Sequence, residues 1–324
     1  MSRYGVALAV GVLLLAGCTS PDDPGEPTAP RPSASTSRSA PALTSPSPSV
    51  TQELRPVPSF DGRRALADVR HLAGDIGPRL ATGPAFREAA GWVAQRFAGL
   101  HYEVTRQRYA VPAGSSWGVP VPAGRSANVV ATPAGFDPGA PYVVVGAHLD
   151  TVAVAPGAED NASGVAVLLE TARLARAVRL TQVVLVAFGG EEPRGDGDDE
   201  HHFGSRHYVA AMSADERWRL RAMVSLDRVG VGPPLTIGWV DDTSPAVRDA
   251  LLRTAARIGV RTAIEENTGS DHESFADAGL PAARLGGTAY AAYHSPQDVP
   301  AVLGQAQLGR AGAVLWSWLI ARAR

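Results

Sequence analysis

Tyr142-Val143-Val144-Val145-Gly146-Ala147-His148-Leu149-Asp150 is an apolar run that stops abruptly at a histidine and a carboxylate. Its length and β-branched content predict a buried strand. Residues 162–178 then carry apolar side chains at helical spacing, and residues 182–188 form a second solid apolar run. Strand, helix and strand of this kind build a parallel sheet covered by helices. The pattern extends outward in both directions. Residues 84–100 place Phe86, Ala89, Ala90, Val93, Ala94 and Phe97 on one helical stripe, while residues 102–110, 128–132, 222–226 and 235–240 read as strands. The sequence therefore predicts an α/β sandwich whose sheet is mostly parallel at its centre. In such folds ligands gather where the strands end.

Polar and ionisable residues stand directly after several of these apolar runs. His148 and Asp150 lie two apart on a strand, so they face the same way and can act as a ligand and the carboxylate that orients it. Glu159-Asp160-Asn161-Ala162-Ser163-Gly164 opens the next helix, where an acidic N-cap is the ordinary reading. Glu191-Glu192 comes after the strand at 182–188, Asp227 after the strand at 222–226, and Tyr293-His294-Ser295-Pro296 lies in a polar loop before the C-terminal helix. Each is ordinary alone. Together they bring two imidazoles, several carboxylates and a surplus Glu to one edge of the sheet, about the ligand supply of two divalent ions.

Composition narrows the chemistry. The 324 residues hold 30 basic and 32 acidic side chains, and every one of the cations is Arg. Near neutrality argues against a nucleic-acid footprint. Without Lys there is no Schiff-base lysine, no Walker lysine and no Ser-Lys pair. The single Cys, Cys18, excludes intramolecular disulfides and Cys-ligated zinc modules, so any metal is held by nitrogen and oxygen. Arg3 and the apolar stretch from Val6 to Leu15, followed by Leu15-Ala16-Gly17-Cys18, form a segment too short to cross a bilayer. It resembles the bacterial lipobox, which implies a signal peptide over 1–17 and a lipidated Cys18. Eight Pro, eight Ser and four Thr among residues 19–49 read as a solvated tether. The expected organisation is thus a signal peptide (1–17), a lipidated Cys and tether (18–60) and a catalytic domain (61–324), exported and anchored by lipid to the outer face of a bacterial cell membrane.

The combination resembles the co-catalytic dinuclear zinc aminopeptidases, family 28 of the metallopeptidases. The likeness rests on Gly146-Ala147-His148-Leu149-Asp150, Asp160-Asn161-Ala162-Ser163-Gly164, Phe188-Gly189-Gly190-Glu191-Glu192, Asp227 and Tyr293-His294-Ser295-Pro296-Gln297-Asp298. Gly204-Ser205-Arg206-His207-Tyr208 and Ser270-Asp271-His272-Glu273-Ser274-Phe275 add to it, and it begins at Gly77-Pro78-Arg79. The resemblance implies a three-layer sandwich with a central mixed, mostly parallel sheet of the zinc-exopeptidase, phosphorylase/hydrolase-like kind. It implies two Zn2+ ions, one held by His148 and Asp227, the other by Glu192 and His294, with Asp160 bridging. Asp150 would orient His148, Glu191 would be the general base and Tyr293 would stabilise the oxyanion. The substrate would be a peptide with a free N-terminus. A non-proline cis peptide between Asp160 and Asn161 is also implied, which makes Asn161-Ala162-Ser163 scaffolding rather than a glycan acceptor.

Two departures stand out. Between Glu192 and Gly204 the chain reads Pro-Arg-Gly-Asp-Gly-Asp-Asp-Glu-His-His-Phe, where relatives cross in a few apolar residues. Asp196, Asp198, Asp199, Glu200, His201 and His202 of this insert form either a solvated loop or a site for a further cation or basic substrates. Arg228 stands beside Asp227, where relatives carry an apolar residue, and reaches either substrate or solvent. Rival readings remain alongside the aminopeptidase: glutaminyl cyclase-like chemistry at a single zinc, carboxypeptidase-type amide chemistry, and a non-catalytic surface-binding lipoprotein. Gly114-Ser115-Ser116-Trp117-Gly118 matches the serine-hydrolase elbow, but that elbow needs a helix after the Ser, which Pro120 and Pro122 forbid.

Overall fold

The computed structural model describes residues 57–323. The expected signal peptide, Cys18 and most of the tether lie outside them. Among the described residues ten strands form: β1 Tyr102–Val111, β2 Gly114–Ser116, β3 Val119–Val121, β4 Gly124–Pro133, β5 Tyr142–His148, β6 Val183–Phe188, β7 Leu220–Asp227, β8 Leu235–Trp239, β9 Thr262–Glu266 and β10 Ala282–Gly286. Among the described residues, eight α-helices accompany them: α1 Gly62–Val69, α2 Pro84–Gly99, α3 Ser163–Val178, α4 Phe203–Ala211, α5 Ala214–Arg219, α6 Ala246–Arg257, α7 His272–Asp277 and α8 Gln305–Arg322. Eight strands share one sheet in the order β1-β4-β6-β5-β7-β10-β8-β9. Its middle, β6-β5-β7-β10, is parallel, while β1, β4 and the β8–β10 pair are antiparallel.

The solid apolar runs are explained by burial on both faces of the sheet. Val143, Val145 and Ala147 of β5 point into a core shared with α1, α2, α3, α6 and α8, whereas Tyr142 and Val144 point into a smaller core with Tyr208 and Val209 of α4 and Phe275 of α7. Strand β6 alternates likewise, with Leu185 and Ala187 on the first face and Val184, Val186 and Phe188 on the second. Helix α2 starts at Pro84, whose fixed φ suits a first turn, and buries the expected Phe86, Ala89, Ala90, Val93 and Phe97.

The crossovers decide where a site can form. From β5 the chain passes through α3 on one face to reach β6, then through α4 and α5 to reach β7 on the other side of β5. The loops leaving β5, β6 and β7 therefore open over the same crevice at the carboxyl ends of the strands. The fold also starts earlier than the expected boundary at residue 61. Pro58 O accepts a hydrogen bond from Trp316 Nε1 of α8 (2.7 Å), and Phe60 packs on the larger core.

Candidate metal centre

His148 is the last residue of β5 and is fully buried. Its Nδ1 faces the main-chain oxygen of Asp150 at 3.2 Å, so an Nδ1–H donated there leaves the Nε2 lone pair for the crevice. This corrects one expectation. The Asp150 carboxylate comes no nearer than 3.9 Å to Nδ1; it accepts instead the N–H groups of Glu191 (3.1 Å) and Glu192 (3.2 Å). Asp150 thus orients His148 through its carbonyl and fixes the glutamate pair through its side chain.

Asp160 and Asn161 are joined by the expected cis peptide. Asn161 is fully buried, donates from Nδ2 to Leu226 O (2.8 Å) and accepts from the Gly164 N–H (2.9 Å), which identifies it as scaffold. Asp298 holds the approach from the other side, taking the N–H groups of Glu159 (2.8 Å) and Asp160 (3.1 Å) and the Tyr290 hydroxyl (3.0 Å). Glu159 is not a solvated N-cap. It is buried and accepts the N–H groups of Gly230 (2.8 Å) and Val231 (3.0 Å) in the loop after β7, and burial pushes its carboxyl up to about 8 against those bonds.

The five expected ligands meet in two groups that share one member. His148 Nε2 lies 3.1 Å from Asp160 Oδ1 and 3.6 Å from Asp227 Oδ1. His294 Nε2 lies 3.2 Å from Asp160 Oδ2 and 3.3 Å from Glu192 Oε2. Asp160 therefore presents one oxygen to each imidazole. Each group gathers donor atoms within 4.8 Å of one another. All five side chains are buried, yet His148 Nε2, Asp227 Oδ1 and Glu192 Oε1 have no hydrogen-bond partner. Orphaned buried polar atoms on residues of both groups fit bound cations, because without them their desolvation is uncompensated.

The charges around the centre differ from side to side. Burial alone would raise the Asp227 carboxyl, but the Arg284 guanidinium, with Nε 3.1 Å from Oδ2, holds it well below the usual carboxylate range. Glu192 moves the other way, pushed well up by burial and by the charges of Asp160 and Glu191. Glu191 Oε2 stands 3.9 Å from His148 Nε2, and Oε1 stands 3.3 Å from His202 Nε2.

The remaining candidates take up varied positions. Tyr293 is 40% exposed, stacks on His294 with ring centroids 3.7 Å apart and carries the Arg228 guanidinium 4.9 Å above its ring. Arg228 thus folds back onto Tyr293 and Asp227 and does not extend into solvent. Gly114-Ser115-Ser116-Trp117-Gly118 forms the β2–β3 hairpin, with positive φ at Trp117 (50°) and Gly118 (82°), so no nucleophile elbow exists there. Trp117 at its tip meets the His294 ring edge-on at 4.3 Å. In the insert, Glu200 closes the loop onto itself by accepting the Gly197 N–H (3.0 Å).

The sequence marks Arg79 only as a motif member and assigns it no task. It is fully buried and donates to the carbonyls of Leu72, Gly77, Leu149, Pro156 and Gly157 at 2.7 to 3.0 Å, tying the end of β5 to the turn before Asp160. Burial brings it down to about 10, so it stays charged. Glu273 is likewise a motif member with no task assigned, and Arg284 carries no signal at all.

A crevice at the carboxyl ends of parallel strands, lined by two histidine-carboxylate groups sharing an aspartate, defines a metal-dependent hydrolase class of site. A profile of peptidase family M28 matches residues 128–319, and the chain belongs to that family. It is 32% identical over 182 residues to aminopeptidase YwaD of Bacillus subtilis, a match covering 52% of this chain and 38% of that protein. In fold it is similar to BSAP, a zinc aminopeptidase from Bacillus subtilis (TM-score 0.73, 20% identity, 83% of this chain and 96% of that one). It is also similar to Porphyromonas gingivalis glutaminyl cyclase (TM-score 0.68, 22% identity, 81% and 99%). The chain spans about half the length, or less, of the curated relatives it matches. Among the described residues, no helix is long and apolar enough to cross a membrane.

Proposed function

We propose that the protein is a dinuclear zinc aminopeptidase that releases N-terminal residues from peptides. The observation that carries this reading is the division of Asp160 between two imidazoles, one oxygen at 3.1 Å from His148 and the other at 3.2 Å from His294. His148 and Asp227 would hold one ion, Glu192 and His294 the other, and Asp160 both. Two zinc ions, when bound, supply Lewis acidity and a water acidic enough to be a nucleophile near neutral pH.

The chain's own residues do the rest. Glu191, its main chain fixed by Asp150, takes the proton of the attacking water and returns it to the leaving amine. Tyr293 lies beside His294 at the mouth of the crevice and donates its hydroxyl to the developing oxyanion, a contribution of about 3 to 4 kcal/mol per donor in other hydrolases. The carboxylates of the centre attract the free amine of a peptide, which favours cleavage after the first residue. We further infer that the enzyme is exported and tethered through a lipidated Cys18 on the outer face of the cell membrane; Cys18→Ser would then release it from the membrane fraction.

The test is metal content of the purified protein, read with hydrolysis of a panel of aminoacyl-anilides before and after chelation. Chelator-sensitive release of the first residue, with zinc at the two shared groups, is expected. One equivalent without peptidase activity would turn the reading to glutaminyl cyclase chemistry, and failure of the centre to bind metal would turn it to a binding lipoprotein.

A further inference from the structure

His201 and His202 end the acidic insert, and both point Nδ1 at the same oxygen of Glu273 in α7. His202 Nδ1 is 2.9 Å from Glu273 Oε2 and His201 Nδ1 is 3.9 Å from it. The two rings meet edge-on with centroids 4.2 Å apart. His202 is buried, and its backbone adopts a left-handed conformation (φ 54°, ψ 30°) that few non-glycine residues occupy. Its N–H donates to Glu191 O (3.0 Å), which pins this turn against the glutamate pair.

A simple ion pair accounts for only part of this. One imidazolium beside Glu273 satisfies the carboxylate, but a second at 4.2 Å would repel it, and at 3.9 Å His201 is beyond hydrogen-bond reach. His201 Nδ1 is indeed a buried atom without a hydrogen-bond partner. The three donor atoms lie within 4.8 Å of one another, the same condition met by the two groups around Asp160. Two nitrogens and one carboxylate oxygen are a zinc-type ligand set with a position left for water.

We propose that His201, His202 and Glu273 form a third divalent-cation site, separate from the centre around Asp160. The insert's own carboxylates are not its ligands: among the described residues, Asp196, Asp198, Asp199 and Glu200 join no group of metal-ligand geometry, and they serve only to draw cations toward it. A cation on Nδ1 leaves His202 Nε2 as an N–H facing Glu191 Oε1 at 3.3 Å, so the ion stands one imidazole ring away from the proposed general base. The assignment holds whether or not the main centre is dinuclear.

Zinc titration of the metal-stripped full-length protein by calorimetry tests it, with melting temperature and circular dichroism confirming that each variant is folded. The wild type should take one equivalent more than His201→Ala and one more than Glu273→Gln, with binding at this site weakened by more than about tenfold in each. Asp196→Asn/Asp198→Asn/Asp199→Asn should keep the full complement, and Asp160→Asn should keep the third equivalent while losing zinc at the main centre. Equal zinc uptake by the wild type, His201→Ala and Glu273→Gln overturns the site, as does loss of the extra equivalent in the insert carboxylate variant with retention in His201→Ala. A wild type lacking the two main equivalents, but still losing one on His201→Ala, would sink the dinuclear reading and leave this one standing.

Discussion

Glu191 and Glu192 are adjacent in the chain and nearly alike in burial, and their different tasks come from what each faces. Glu192 Oε2 is 3.3 Å from His294 Nε2, which suits the proposed ligand, while Glu191 Oε2 stands 3.9 Å from His148 Nε2 and shares a second group of metal-ligand geometry with His148 and Glu192, so its proposed role as base is what a substitution must test. Replacing Glu191 by Gln keeps the shape and removes only the basicity. Zinc content should be unchanged and kcat should fall by about 100- to 10,000-fold, as for loss of a general base; near-normal turnover of aminoacyl-anilides would remove Glu191 from that role. Asp160→Asn should do the opposite, stripping metal from both groups and costing more than the about 10- to 100-fold typical of outer-shell changes, with metal analysis as the readout. Of the proposed ligands, His148 and Asp227 are legible because each ends an apolar run. The task of Asp298 is not: it accepts the Asp160 N–H at 138 residues' separation, and no local pattern reports such a bond.

At the scale of elements, β10 is hidden from the sequence by a charge that is neutralised at a distance. Strand β10 reads Ala282-Ala283-Arg284-Leu285-Gly286, with a cation in the middle that argues against burial. Arg284 is nevertheless fully buried, because Asp227 Oδ2 and Glu265 Oε2 each lie 3.1 Å from its nitrogens. The apolar runs of β5 and β6 are plain by contrast, since both of their faces meet helices. Helix α7 carries a further consequence of the same packing. Its first residue, His272, is fully buried beside the Arg284 charge and uses Nε2 to donate to Asn267 O (2.8 Å); burial first and Arg284 second bring it down to about 4. In the unfolded chain it titrates near 6.5, so between those values the unfolded state binds the extra proton. Its contribution is therefore complete above about pH 6.5 and lost as the pH falls through 4, a loss of about 3 kcal/mol. Urea denaturation across that window should show this acid-side loss in the wild type and a flatter profile in His272→Gln. Equal slopes would mean that His272 is not held neutral by the fold.

For the whole molecule, the site and the stability draw on the same burial. Phe60 and Pro58 clamp the start of the domain onto α8, so a chain trimmed to begin at Asp61 should melt a few degrees below one beginning at Val57, since full burial of a Phe contributes about 1.5 to 3 kcal/mol and Phe60 is only partly buried. The crevice acts in the other direction. Asp160, Glu191, Glu192 and Asp227 come from three separate segments and are all buried within one small volume, so their mutual repulsion opposes closure of the loops after β5, β6 and β7. Arg284 and Arg228 stand beside Asp227 and Arg79 donates only to main-chain oxygens, so bound cations would supply the compensation at Asp160, Glu191 and Glu192. A ligand that binds the folded state alone adds about 4 kcal/mol at a thousandfold excess over its Kd. Chelation should thus lower the melting temperature of the wild type, zinc should restore it, and Asp160→Asn should respond far less to either. A wild type whose melting temperature ignores chelator would show that the carboxylates are accommodated without metal, most directly by taking up protons, and the chelator response measured at pH 5 and pH 8 would separate the two: proton uptake makes the protein more stable at the lower pH, whereas metal, which needs the carboxylates ionised and the imidazoles neutral, stabilises more at the higher.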